Sequence, residues 1–126
     1  MSHLSRGRCK IKDLFTLREV AKSMGLKVVE KKKLHGSYIG TIDCEFVLTD
    51  RKGGELAVVQ TGNEEYEIQM DNYYNSICEV VGDNGGKLTR DYMTEVHKKE
   101  VQLLGGIIAS CEVDVQGFVY LEVAVP

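Results

Sequence analysis

The chain has 126 residues, of which 43% are hydrophobic and 28% charged, and its formal net charge is −3. That size suits one domain, which buries about two-thirds of its unfolded surface without staples. No apolar run reaches the ~20 residues that a bilayer-spanning helix needs, and "MSHLSRGRCK" has charge but no apolar core, so it does not read as a signal peptide and a cytoplasmic protein is expected.

Residues 4–12, "LSRGRCKIK", alternate: Ser5, Gly7, Cys9 and Ile11 take one face, and Arg6, Arg8, Lys10 and Lys12 the other. This predicts a half-buried strand with a basic outer face. It belongs to a larger asymmetry. Residues 1–33 carry ten Lys and Arg against three acids, a balance of +7, and the rest of the chain sums to −10. Such a split marks an anion-binding face, a solvated edge, or two complementary faces of a self-associating protein.

"DLFTLREVAKSMG" predicts an amphipathic helix. Asp13 is its N-cap and Gly25 its C′ residue. Leu14, Leu17, Ala21 and Met24 form the apolar stripe, with Phe15 and Val20 flanking it. "LKVVEKK" is a short strand and "LHGSYIG" a glycine-punctuated connection. Residues 41–49, "TIDCEFVLT", are expected as one strand with Ile42, Cys44, Phe46 and Leu48 on one face. After "DRKGG" comes "ELAVVQT", apolar on both faces and therefore central. "GN" at 62–63 signals a tight turn. In "EEYEIQM", Tyr66, Ile68 and Met70 face in, while Glu65, Glu67 and Gln69 face out.

Asp71 or Asn72 is expected to cap a short helix, "NYYNSICEVVG". After the loop "DNGG", a long helix, "KLTRDYMTEVHKKEVQLLGG", ends at Gly105. Its apolar face runs through Leu88, Tyr92, Met93, Val96, Val101 and Leu104, and His97 shares a row with Met93, Val101 and Leu104. A final hairpin sets its own register. A three-residue loop at 115–117 pairs Val113 with Val119, Glu112 with Tyr120, Cys111 with Leu121, Ser110 with Glu122, Ala109 with Val123 and Ile107 with Val125. The whole predicts an α+β domain over residues 1–126: a mostly antiparallel sheet with helices packed on one face, in two layers.

The four cysteines, Cys9, Cys44, Cys78 and Cys111, lie at least 33 positions apart. That spacing offers neither a C-x-x-C nor a zinc set. Reduced apolar packing is the plain expectation, with three of the four pointing into the core. No glycine-rich phosphate loop, H-E-x-x-H or G-x-S-x-G is present. His3, His35 and His97 have no ligand spacing. No metal, cofactor or catalytic residue is therefore assigned.

Three blocks, in order, resemble an uncharacterised family of cyanobacteria and red-algal plastids, hypothetical chloroplast reading frame thirty-five. Members also occur in other bacteria and in phages. The first block is "MSHLSRGRCKIKDLFTLREVAKSMGLKVVE", where Met1, Ser2, His3, Ser5, Asp13, Leu14 and Gly25 follow the family order. The second is "IDCEFVLTDRKGGELAVVQTGNEEYEIQMDNYYNSI", and the third begins "LTRDYMTEVHKKEVQLLGG". The chain departs from the pattern in having Tyr73 and Tyr74 where the family often has tryptophan, and in having more cysteine. The resemblance implies a fold and a cytosolic location, and no reaction.

Three functional readings follow. The first is a non-enzymatic module that binds an anionic small molecule or nucleotide through the basic N-terminal strand. Its candidate residues are His3, Arg6 and Arg8, with Tyr73, Tyr74, Arg90 and His97 lining one cleft; aromatic rings beside arginine suit base stacking and phosphate contact. Nucleic acid stays open as a partner on this reading. The second is an accessory subunit that docks on a protein partner or on itself as a homodimer through a sheet edge. The third is an enzyme using His97 with Tyr92 or Asp91.

Overall fold

The structure, a computed structural model, describes residues 4–6, 10–36, 40–71, 76–113 and 119–124. Among the described residues nine strands and three α-helices follow in the order β1 (Leu4–Arg6), α1 (Leu14–Ser23), β2 (Lys27–Val29), β3 (Lys33–Gly36), β4 (Gly40–Asp43), β5 (Phe46–Thr49), β6 (Glu55–Gly62), β7 (Glu65–Asp71), α2 (Ile77–Val81), α3 (Gly86–Leu103), β8 (Ile107–Val113) and β9 (Val119–Ala124). The fold is α+β, and every strand pairing among the described residues is antiparallel. No helix among them is long and apolar enough to cross a membrane.

Five strands form the main sheet in the order β1-β7-β6-β5-β2. The strand read as apolar on both faces, β6, stands at its centre. The basic strand β1 stands at one edge, pairing Leu4 with Asp71 and Arg6 with Gln69. Ile11 extends this pairing through a bridge to Tyr66. Alternation then decides which side chains go where. Phe46 and Leu48 of β5, Leu56 and Val58 of β6, and Ile68 and Met70 of β7 form one buried face. Leu17, Val20 and Ala21 of α1, Ile77 and Val81 of α2, and Leu88 and Tyr92 of α3 cover it. Tyr66 packs partly buried against the same core.

The first helix forms where expected. The Asp13 side chain accepts from the Thr16 amide at 3.0 Å and from the Thr16 hydroxyl at 2.5 Å. Gly25 follows the last turn at φ +82°, the left-handed conformation that glycine adopts without cost. Phe15 departs from the expectation: it is 69% exposed, with the Lys99 ammonium 5.1 Å from its ring.

Residues 33–49 differ most from the sequence reading. The glycine-punctuated connection is a hairpin, β3–β4, pairing Leu34 with Ile42 and His35 with Thr41. The single strand expected over 41–49 is two strands, β4 and β5, that break at Cys44–Glu45. Ile42 and Cys44 therefore leave the face of Phe46 and Leu48. They pack with Leu34, Val47 and Ala57 in a second, smaller cluster on the opposite face of the sheet. Gln69, predicted to face out, does lie opposite Ala57 on this second face, yet it is buried, and its amide donates to Glu67 at 2.7 Å.

Two other expectations are corrected. The short helix starts at Ile77 after Ser76, since β7 continues to Asp71; Asn72 lies outside the described residues. In the far half of α3, Val96 packs partly buried against the core and Lys99 bonds to α1, but the rest of the expected apolar stripe is largely uncovered among the described residues. Met93 is exposed, Leu103 and Leu104 are each 86% exposed, and in the row containing His97 only Val101 is half-buried. The last hairpin keeps the predicted register at four pairs, from Ser110–Glu122 to Val113–Val119. A bulge then sets Ile108 against Val123 and Ile107 against Ala124. This hairpin is a two-stranded sheet of its own and does not join the main one.

Candidate functional site

The basic N-terminal third is largely neutralised by neighbours that are distant in sequence. Lys10 and Lys12 both reach Glu65, at 3.4 and 4.0 Å. Lys31 pairs with Glu55 at 3.2 Å, Lys32 with Glu45 at 3.5 Å and Lys33 with Asp43 at 3.6 Å. These are surface ion pairs, worth little individually, but the four acids offset much of the charge that the segment's sequence suggests.

Among the described residues, one groove gathers cations that these pairs do not use. The last turns of α1 and the start of β2 flank a groove of about 360 Å³, lined by Arg18, Lys22, Leu26, Lys27, Val28 and Glu30. Helix periodicity brings Arg18 and Lys22, four residues apart, to one side of it. The turn at Gly25 reverses the chain, so Lys27 comes to the other side. Leu26 is buried and Val28 half-buried, which gives the groove an apolar floor. Arg18 is fixed twice. Its guanidinium lies 4.4 Å from the centroid of the buried Phe46 ring and donates to Glu30 at 2.8 Å. Among the described residues no carboxylate pairs with Lys22 or Lys27. Three cations thus face one acid across an open, partly apolar trough, an arrangement that holds an anion.

A second cleft, of about 390 Å³, lies between α1 and α3. It is lined by Thr16, Glu19, Asp91, Glu95, Lys98 and Lys99, among others, with Cys111 of β8 at its rim. Its charges are already spent on one another. Lys99 donates to the Thr16 hydroxyl at 2.7 Å and to Glu19 at 2.9 Å, and Lys98 reaches Glu95 at 3.4 Å. The hydrogen bond to Glu19 holds the Lys99 ammonium above the usual lysine pKa, so it stays a charged strut between the helices. The Asp13 carboxyl is held below the usual aspartate range by the Thr16 hydroxyl, as a cap should be.

Of the residues singled out in the sequence, three are described, and they lie on separate parts of the fold. His3, Arg8, Tyr73 and Tyr74 lie outside the described residues. Arg6 is on β1, at the opposite edge of the sheet from β2; four strand spacings of ~4.8 Å put about 19 Å between those edges. Arg90 is turned onto its neighbour Asp91, with Nε and Nη2 each 3.1 Å from Oδ1. His97 stands exposed on α3 near Glu100, at 3.7 Å. Seven residues of helix, about 10 Å of rise, separate it from Arg90.

The grouping of His97 with Tyr92 or Asp91 fails on the same ground. The buried Tyr92 hydroxyl accepts from the Lys12 and Asp13 amides, at 3.1 and 3.0 Å, and so ties the entry of α1 to α3. Asp91 serves Arg90. None of the three shares a reacting position with another.

Of the cysteines expected to point into the core, Cys78 packs half-buried against the main cluster and Cys44 against the second, Cys111 is exposed, and Cys9 lies outside the described residues. Partial burial raises the Cys44 thiol pKa, and its sulfur donates to the Lys31 carbonyl at 3.3 Å. Sequence reasoning missed the α1–β2 groove, although Arg18, Lys22 and Lys27 were within its basic segment; the signal was a pair of cations four apart on a helix, followed by a glycine turn and a third.

No family model, curated protein or solved structure matches the chain.

Proposed function

We propose that this chain is a small non-enzymatic binding protein of the cytoplasm that takes an anionic ligand in the α1–β2 groove. The observation that supports the reading is the set of Arg18, Lys22 and Lys27 over an apolar floor, where two of the three cations make no ion pair among the described residues. Arg18 supplies a pre-oriented guanidinium for a phosphate or carboxylate, and the two lysines add charge without fixed geometry. Leu26 and Val28 offer a surface for the ligand's apolar part, which suits a phosphorylated or carboxylated organic molecule such as a nucleotide. Membership of the plastid and cyanobacterial family described above is proposed with it, on the three quoted sequence blocks.

A titration of the labelled protein, followed by amide chemical shifts, tests this with inorganic phosphate, mononucleotides and cyclic nucleotides. Shifts should cluster at residues 18–30, saturate, and weaken as salt rises. Lys22→Glu with Lys27→Glu should abolish them, while Arg6→Glu, at the far edge of the sheet, should leave them unchanged. The absence of saturable binding below about millimolar, some 4 kcal/mol of affinity, would refute the reading.

A further inference from the structure

We propose that the α1–β2 groove takes its anion as part of an extended acidic peptide, which lies along β2 and adds a strand to the main sheet. This rests on the reading of the groove as an anion site, and it names the molecule that carries the charge. β2 is the last strand in the sheet order, and among the described residues it pairs with β5 alone. Its other edge is met by no described strand, and such an edge is where an extended peptide adds. All residues from Arg18 to Glu30, on both sides of the groove, are described.

The spacing of the cations points to the peptide. Arg18 meets Glu30 at one end of the groove, and the chain turns at Gly25 at the other, so the end of α1 runs back alongside β2. Four residues of helix rise about 6 Å, and two residues of strand about 6.6 Å. Side chains at alternate positions of an added strand therefore match the spacing of Arg18 and Lys22. Leu26 and Val28, also two apart, give the floor on which the aliphatic stems rest. Arg18 gives Glu30 a single hydrogen bond, from Nη1, and its other nitrogens have no partner among the described residues. They are open to a second carboxylate. Lys27 adds selectivity on β2 itself. It opposes pairing with β2 of another copy, where like charges would meet, and favours an acidic strand.

A short capped peptide of alternating glutamate and valine, titrated into the isotope-labelled protein, tests this. Amide shifts should saturate and cluster at residues 18–30, and exchange of the β2 amides with solvent should slow. Lys22→Glu should weaken the peptide about tenfold, the effect of ~1.4 kcal/mol, with an unchanged circular dichroism spectrum. Lysine in place of glutamate in the peptide should abolish binding. Two further versions carry methyl groups on alternate backbone nitrogens, one set even and the other odd. They share charge and length, but only one set faces β2 in an added strand, so one version should bind at least about tenfold more weakly than the other. Inorganic phosphate and mononucleotides form the separate arm. If they saturate the groove while the glutamate peptide does not bind, or binds equally in both methylated versions, strand addition is overturned and the anion site stands. No saturable binding of any of these probes would overturn both.

Discussion

Gly85, between the 3-10 turn at Asp83–Gly85 and α3, offers a sharp test of the core's geometry. Its φ is +72°, and a Cβ built there stands 2.1 Å from Cδ1 of Ile68 and 3.4 Å from its Cγ1. Ile68 is fully buried between β6 and the helices, so its end has little room to swing. Gly85→Ala therefore meets two penalties. The left-handed backbone costs an alanine about 1–2 kcal/mol, and crowding a packed core costs about 1–3 kcal/mol. Lower entropy of the unfolded alanine chain offsets about 0.4–1 kcal/mol. The net loss is about 2–4 kcal/mol, to be read from urea unfolding by linear extrapolation. Gly53→Ala is the control. It has φ +86° with nothing within 4 Å of the added atom, so it should lose only about 0.5–1.5 kcal/mol. Adding Ile68→Val to Gly85→Ala removes the clashing methyl, and the pair should cost less than the sum of its members. Equal losses for the alanines at 85 and 53 would refute the packing argument and leave backbone strain alone.

Leu17→Ala should destabilise the fold by about 2–5 kcal/mol, because Leu17 is fully buried at the centre of the α1 stripe; denaturant unfolding measures it, and a loss near zero would put the stripe on the wrong face. Tyr92→Phe should cost about 1–3 kcal/mol with the ring still packed, since the Lys12 and Asp13 amides lose their shared acceptor. Asp13→Ala should cost about 0.5–2 kcal/mol near neutral pH. Asp13 has a depressed pKa when folded, so its charge contributes stability above the unfolded value of about 3.9 and loses it as pH falls through the lower folded value. The gap between wild type and variant in melting temperature should therefore narrow only below about pH 4; a gap that closes near pH 6 would assign the effect to another group.

The parts of the fold that were legible in the sequence are those whose causes are local. Asp13, the stripe from Leu14 to Met24, and Gly25 are enough to write α1. The hairpin register from Ser110 to Val113 follows from loop length and alternation, and it fails at Ala109 because a bulge leaves no mark in the pattern. Alternation through 41–49 misled for a physical reason. Ile42 and Cys44 serve a different apolar cluster from Phe46 and Leu48, and a strand that changes its partner sheet keeps the same period. The C-terminal stripe of α3 misled because periodicity reports a face, not whether anything covers it. Charge was the least legible property. The +7 of residues 1–33 counts each lysine without the glutamate that the fold brings beside it, such as Glu65 beside Lys10 or Glu55 beside Lys31. What survives the pairing is the groove, which needed the α1–β2 turn before it could be seen.

The second apolar cluster makes the β3–β4 hairpin a door that opens on its own hinge. Its strands bond to each other, and the fully buried apolar contribution it makes across the sheet is Leu34 on Val47 and Ala57. Freeing one leucine costs about 1.5–3 kcal/mol, well below the 5–15 kcal/mol that holds a domain folded. Amides of β3 and β4 should then exchange with solvent through brief local lifting, at rates nearly blind to low denaturant. Those of β6, covered on both faces, should wait for global unfolding. A protease or thiol reagent waiting for the same door would find Cys44 behind it before any residue of the main core came into reach.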